Sequence, residues 1–229
     1  MARLLLFDID GTLLDTCGAG GSALLDAVEA VLGVARETIP PLDLAGATDG
    51  GVVRRLFGQV GREWQSDLAR SYLDSYLISL KERLNQPNFE GYLLPGVAAL
   101  LPHLAQLGGA DIGLLTGNIR AGADLKLQRF QLQSHFLDGA FGDDSEDRNA
   151  LGPVAVKRLE LITGQRYQAD EIIVIGDTPK DIACAQAIGA RCLAVGTGQF
   201  TSADLSTYRP WHCLDSLANT AQVCELLLK

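Results

Sequence analysis

An α/β fold, with a doubly wound parallel (Rossmann-like) sheet and an inserted all-helical segment, is predicted by three observations on the 229-residue sequence. Apolar runs at 4–7, 112–115 and 172–175 are continuous rather than alternating, as in strands covered on both faces. Stretches with helical spacing of apolar residues separate them, and strand alternating with helix implies a parallel sheet. Between residues 16 and 89 helical periodicity continues with no convincing strand, which predicts a helical insertion.

Taken in order, Leu4-Leu5-Leu6-Phe7 is the first strand and stops at Asp8. Gly18, Gly20 and Gly21 then permit a turn, and helical patterns follow at 22–32, 50–57 and 63–84. The glycine cluster is not GxGxxG and lies well past the strand, so it predicts a hinge rather than a dinucleotide site. Pro87, Gly91, Pro95 and Gly96 mark the return crossing. Helices are then predicted over 97–107, 120–130, 152–162, 181–188 and 216–228, with short strands at 139–141, 191–195 and 211–214. The charge run at 143–148 predicts a solvated loop.

Composition bounds the partners. With 47% hydrophobic and 21% charged residues the chain is expected to be soluble and globular. A net charge of −9 opposes the positive field that nucleic acid or an anionic membrane requires, so neither is expected as a partner. A phosphorylated metabolite stays possible if a divalent cation and one or two basic side chains reverse the field locally. The first apolar run is too short for a signal-peptide core or a membrane span. Five cysteines, odd in number and without a CxxC pair or interleaved histidines, predict reduced thiols in a cytoplasmic protein. His103, His135 and His212 are scattered and form no metal set or catalytic dyad.

Three apolar runs end in polar residues: at Asp8, at Thr116 and, after Gly176, at Asp177. In a parallel sheet such strand ends share one edge, where open α/β folds bind ligands. The first continues Asp8-Ile9-Asp10-Gly11-Thr12, two carboxylates two positions apart with a permissive glycine after them. One carboxylate can attack an electrophile while the other handles a proton.

The chain resembles the haloacid dehalogenase superfamily, in its phosphatase-like branch. The resemblance rests on Asp8 to Thr12, on Thr116-Gly117-Asn118 and on Gly176-Asp177-Thr178-Pro179-Lys180-Asp181, in that order. It covers essentially the whole chain and implies a core of 1–15 and 90–229 with a helical cap of 16–89. It implies Asp8 as nucleophile and Asp10 as general acid and base. It also implies Mg²⁺ held by Asp8, the Asp10 backbone carbonyl and Asp177, with Asp181 acting directly or through water. Carboxylates crowded in one crevice repel, and a hard cation relieves that repulsion. A role for Asp181 as a helix cap is the competing expectation.

Thr116, Gly117 and Asn118 can hold a phosphoryl oxygen by a hydroxyl and backbone amides, although alone they read as an ordinary helix start. The family's Lys-Pro stretch before the last motif is absent. Arg148, in the corresponding loop-to-helix position, is favoured as the phosphate-binding cation, with Lys157 as competitor. In the segment Gly46-Ala47-Thr48-Asp49-Gly50, Thr48 is a candidate substrate-facing residue, and Arg54 one turn later could meet an acidic leaving group. A loop packed only for structure is the equal alternative.

The expected chemistry is hydrolysis of a small phosphate monoester, of the kind performed by phosphoglycolate phosphatases, by a monomer or homodimer. A sugar-phosphate mutase of the β-phosphoglucomutase type is the nearest rival, since it shares the aspartyl-phosphate step. Haloacid dehalogenation is disfavoured by the second aspartate, Asp10. Phosphonate cleavage would need a cap lysine, and the helical segment offers only Lys81. A catalytically silent binding protein on the same fold is opposed by the complete acidic set.

Overall fold

The computed structural model describes residues 2–229. Its strands are β1 (Arg3–Phe7), β2 (Leu14–Asp15), β3 (Tyr92–Leu93), β4 (Ala110–Leu115), β5 (Gly139–Ala140), β6 (Ile172–Gly176), β7 (Arg191–Val195) and β8 (His212–Leu214). Six of them form one parallel sheet in the order β5-β4-β1-β6-β7-β8. β1 lies between β4 and β6, with Phe7 level with Leu114 on one side and Ile175 on the other. Connections run outward from β1 in both directions, so the crevice at its carboxyl end is the switch point where such sheets bind ligands.

The helices are α1 (Ala19–Ala27), α2 (Asp49–Gln59), α3 (Ser66–Leu84), α4 (Val97–Leu107), α5 (Arg120–Arg129), α6 (Leu151–Thr163), α7 (Pro179–Ala187), α8 (Ser202–Ser206) and α9 (Thr220–Leu228). Alternate strand residues face opposite layers. Leu5, Phe7, Ile173 and Ile175 pack with Leu100 and Leu104 of α4, Leu127 of α5 and Leu227 of α9. Leu4, Leu6 and Val174 pack with Leu151 and Leu159 of α6 and Ile182 of α7. Burial on both faces explains why these strands read as unbroken apolar runs.

A third cluster joins α1, α2 and α3 through residues including Leu24, Val53, Phe57, Tyr72, Tyr76 and Leu80, and Ile119 at the start of α5 is its link to the sheet layer. The chain leaves for this helical layer through β2 and returns through β3, which pair antiparallel with Leu14 opposite Leu93. This two-residue ribbon is not visible in the sequence, because such a length shows no period. Helix ends also shift from the predicted ones for local reasons. After Ala27 the first helix widens into a π-helical stretch, Val28–Leu32, closed by Gly33 in the left-handed region. The last helix starts at Thr220 rather than near Ser216, because the Asn219 side chain accepts from the Gln222 amide. Among the described residues no helix is long and apolar enough to cross a membrane.

Candidate active site

β1, β4 and β6 deliver Asp8, Thr116 and Asp177 to one edge, where a cavity of about 210 Å³ is lined by them together with Asp10, Asn118 and Arg148. Asp8 is buried, and its backbone N–H bonds the Ile175 carbonyl at 2.9 Å, which extends the β1–β6 ladder to the site itself. Gly11 turns the chain immediately afterwards at φ +80°. A Cβ there would come within 2.3 Å of Asp177 Oδ2, so the turn demands glycine for both conformation and space. Thr12 Oγ1 donates to Asp177 Oδ1 at 3.0 Å.

α7 begins at Pro179 with Thr178 as its cap, and the Thr178 and Asp181 side chains bond each other's backbone amides. Asp181 thus caps the helix, as one expectation had it, but it is also fully buried beside Asp8 and Asp177, with carboxylate oxygens of all three within 4.8 Å of one another. One Asp181 oxygen accepts from Arg148; the other accepts from the Thr178 amide at 3.0 Å and its hydroxyl at 2.7 Å.

Arg148 is the cation of this cluster. Buried just before α6, it reaches Asp8 Oδ2 at 3.1 Å through Nη2 and also bonds Asp181. Burial works against its charge, but Asp181 and Asp8 outweigh it and raise its pKa. Its Nε is a buried donor with no protein partner. Lys157, the competitor, is exposed on α6 away from the cavity.

The electrostatics of the carboxylates follow from crowding. Burial, then Asp181, then Asp8 push Asp177 up to about 8. Burial likewise pushes Asp8 up to about 6, with Arg148 pulling down and Asp181 pushing up. Three buried carboxylates share a single guanidinium, and every donor they offer is an oxygen, the set that suits a hard divalent cation such as Mg²⁺.

Asp10 lines the same cavity with partners of its own. Its Oδ2 accepts from Asn118 Nδ2 at 2.7 Å, and Lys126 Nζ lies 2.8 and 2.6 Å from its two oxygens. Lys126 is a functional candidate that the sequence reading missed. Its signal was its position: Ile119, Ala123, Lys126 and Leu127 share the buried stripe of α5, where a charge needs a partner. Thr116 Oγ1 accepts from Asn118 Nδ2 at 2.9 Å, so the three-residue motif is wired to Asp10.

The helical layer closes on this edge through the loop before α2, with Gly46 and Ala47 lining the cavity. A Cβ on Gly117 would come within 1.9 Å of the Ala47 carbonyl, so the loop rests directly on the Thr116-Gly117-Asn118 turn. Asp49 N bonds Gly117 O at 2.7 Å, and Asp49 Oδ2 accepts from Ile119 N at 2.8 Å. Desolvation pushes this Asp49 carboxyl up to about 6 against the pull of Lys126.

The expectation that Thr48 and Arg54 face the substrate is corrected. Thr48 is buried, its hydroxyl accepting from Gly51 N to cap α2 and donating to Glu146 O at 2.8 Å. Arg54 makes a bidentate pair with Glu146, at 2.6 and 2.7 Å, and stacks 4.1 Å over the Trp64 ring. Neither lines the cavity, because the helical turn that begins at Thr48 carries both side chains away from the strand ends. The loop does reach the site, through the backbone of Gly46 and Ala47.

A hydrolase built around aspartates at the carboxyl edge of a doubly wound sheet is the class these features define. Residues 5–195 match the model of the haloacid dehalogenase-like hydrolases, and the chain belongs to that family. Among curated relatives, it is 27% identical over 205 residues to a phosphoglycolate phosphatase of Rhodospirillum rubrum, covering 86% of this chain and 81% of that one. It is 29% identical to a phosphoglycolate phosphatase of Yersinia pestis over 91% of this chain and 87% of the relative. Of solved structures, CbbY from Rhodobacter sphaeroides in complex with phosphate superposes with a TM-score of 0.75 at 18% identity over 96% of each chain. The chain thus stands among the phosphatases of its family.

Proposed function

We propose that this phosphatase hydrolyses a phosphate monoester of a small metabolite in a magnesium-dependent reaction, through an aspartyl phosphate formed on Asp8. The observation that carries this reading is the placement of Asp8. It lines the cavity beside Asp177 and Asp181, with Arg148 at 3.1 Å and the Asp10 carboxylate lining the same cavity.

Asp8, Asp177 and the Asp10 backbone carbonyl, with Asp181 directly or through water, would hold Mg²⁺, which when bound supplies positive charge to offset the carboxylates and the phosphoryl oxygens. An Asp8 oxygen attacks phosphorus, the bond to the ester oxygen breaks, and Asp10 gives that oxygen its proton. Water then attacks the same phosphorus and gives its proton to Asp10 as the Asp8–phosphorus bond breaks. Arg148, which lines the cavity, and the Thr116 to Asn118 turn bind the phosphoryl oxygens.

Residues 16–89 act as a cap over a core of 1–15 and 90–229, and the loop carrying Gly46 and Ala47 excludes water from the cavity. The phosphoglycolate phosphatase relatives support a short acidic leaving group.

The test is phosphate release across a panel of small phosphate esters, 2-phosphoglycolate included, with Mg²⁺ and with a chelator. Metal-dependent release from wild type is expected, with Asp8→Asn reduced at least about 10³-fold. Equal release by Asp8→Asn would overturn the assignment, and an isomerised phosphate ester without free phosphate would favour a mutase.

A further inference from the structure

We propose that Lys126 is the positioning residue for Asp10. The inference rests on the phosphatase reading above and adds to it a residue outside the three motifs.

Lys126 rises from α5, in the sheet layer, to an ammonium whose side chain is 5% exposed. A buried ammonium is costly unless paired and hydrogen-bonded. Its contacts are the two oxygens of Asp10 and Asn118 Oδ1, the last at 2.6 Å. Gly20 at the start of α1 covers it: a Cβ there would lie 3.5 Å from Nζ.

Asp10 is the less constrained partner, since its side chain is 43% exposed and faces the cavity. An aspartate with that freedom can rotate away from a leaving oxygen. Lys126 and Asn118 remove the freedom by gripping the carboxyl from behind, and because Nζ reaches both oxygens an anchor persists whichever oxygen carries the proton. General acid catalysis depends on this geometry, which must hold the carboxyl within hydrogen-bond reach of the leaving oxygen.

The experiment compares wild type, Lys126→Met and the exposed-lysine control Lys157→Met on an alkyl phosphate and on 4-nitrophenyl phosphate, each also in an Asp10→Asn background. An alkoxide must be protonated as it leaves, whereas nitrophenolate leaves without help. Lys126→Met should lower kcat on the alkyl ester by about 10²-fold with KM nearly unchanged. The first turnover of 4-nitrophenyl phosphate, read as released nitrophenolate, should stay within about threefold of wild type. In the Asp10→Asn background Lys126→Met should add no further loss, as expected of two residues acting as one unit.

An alkyl-ester kcat unchanged by Lys126→Met would overturn the proposal. So would an equal loss in the alkyl-ester kcat and in the first turnover of 4-nitrophenyl phosphate, or a further loss in the Asp10→Asn background. Lys126→Gln, uncharged and one atom too short to reach both Asp10 oxygens as Nζ does, repeats the series with the same expected losses if the Met variant does not fold. A wild type that releases no phosphate from any ester would instead overturn the function on which the inference rests.

Discussion

The two walls of the cavity are built on opposite charge balances. On one, Asp8, Asp177 and Asp181 are buried together around the single guanidinium of Arg148. On the other, one half-exposed carboxylate, Asp10, faces one buried ammonium, Lys126. The first wall is short of positive charge, a balance that a bound cation would restore. The second is balanced by the chain itself. Asp8 and Asp10, two residues apart, therefore stand in different electrostatic surroundings, set by their neighbours rather than by their own chemistry.

The largest way to break this contrast is to remove the cation of the crowded wall. Arg148→Met leaves three buried carboxylates uncompensated, and it should cost about 3–5 kcal/mol in denaturant unfolding and abolish phosphate release. Full stability in this variant would show that the carboxylates do not depend on Arg148.

A smaller effect comes from the loop over Asp177. A Cβ on Gly198 would fall 1.8 Å from Asp177 Oδ2, so Gly198→Ala must displace the carboxylate or the loop. It should cost about 1–3 kcal/mol and weaken Mg²⁺ binding, read by calorimetric titration. Wild-type affinity would mean that Asp177 is not a ligand.

Acidity sharpens the same comparison. Burial and its neighbours raise Asp177 from 3.8 to about 8, and Asp8 rises to about 6. Between those limits the folded protein holds protons that the unfolded chain has released, so in chelator its stability is greatest near pH 4 and falls as pH rises toward 8. Melting temperature with chelator should decline over that window, while the stabilisation given by added Mg²⁺ grows, since the ion and the protons compete for the same oxygens. A melting temperature independent of pH in chelator would contradict the crowding.

The smallest expected effect lies outside both walls. Arg54 pairs with Glu146 in the open, its side chain 51% exposed. Arg54→Ala should leave the melting temperature and the ester preference unchanged. A changed ester preference would return Arg54 to the site.

How much was legible in the sequence follows from the range of the interactions. Asp8, Thr116 and Asp177 each end an apolar run, so local pattern and parallel pairing were enough to bring them to one edge. The buried strands at 4–7 and 172–175 were readable because burial on both faces leaves no polar alternation. The ribbon of Leu14–Asp15 with Tyr92–Leu93 was not, because two residues have no period. For Thr48 the sequence leaves a substrate-facing loop and a loop packed only for structure equally open, and the packing of the turn makes it the cap of α2.

The doubly wound sheet, the helical segment between its first two sheet strands and the set of acids at the strand ends are all written in short-range patterning along the chain. It took tertiary packing to bring Arg148 rather than Lys157 to the cavity, to carry Lys126 to an aspartate 116 residues away, and to turn Arg54 out toward Glu146. Those outcomes depend on where a long side chain points once separate elements have packed, and a buried charge finds its partner across the fold rather than along the chain.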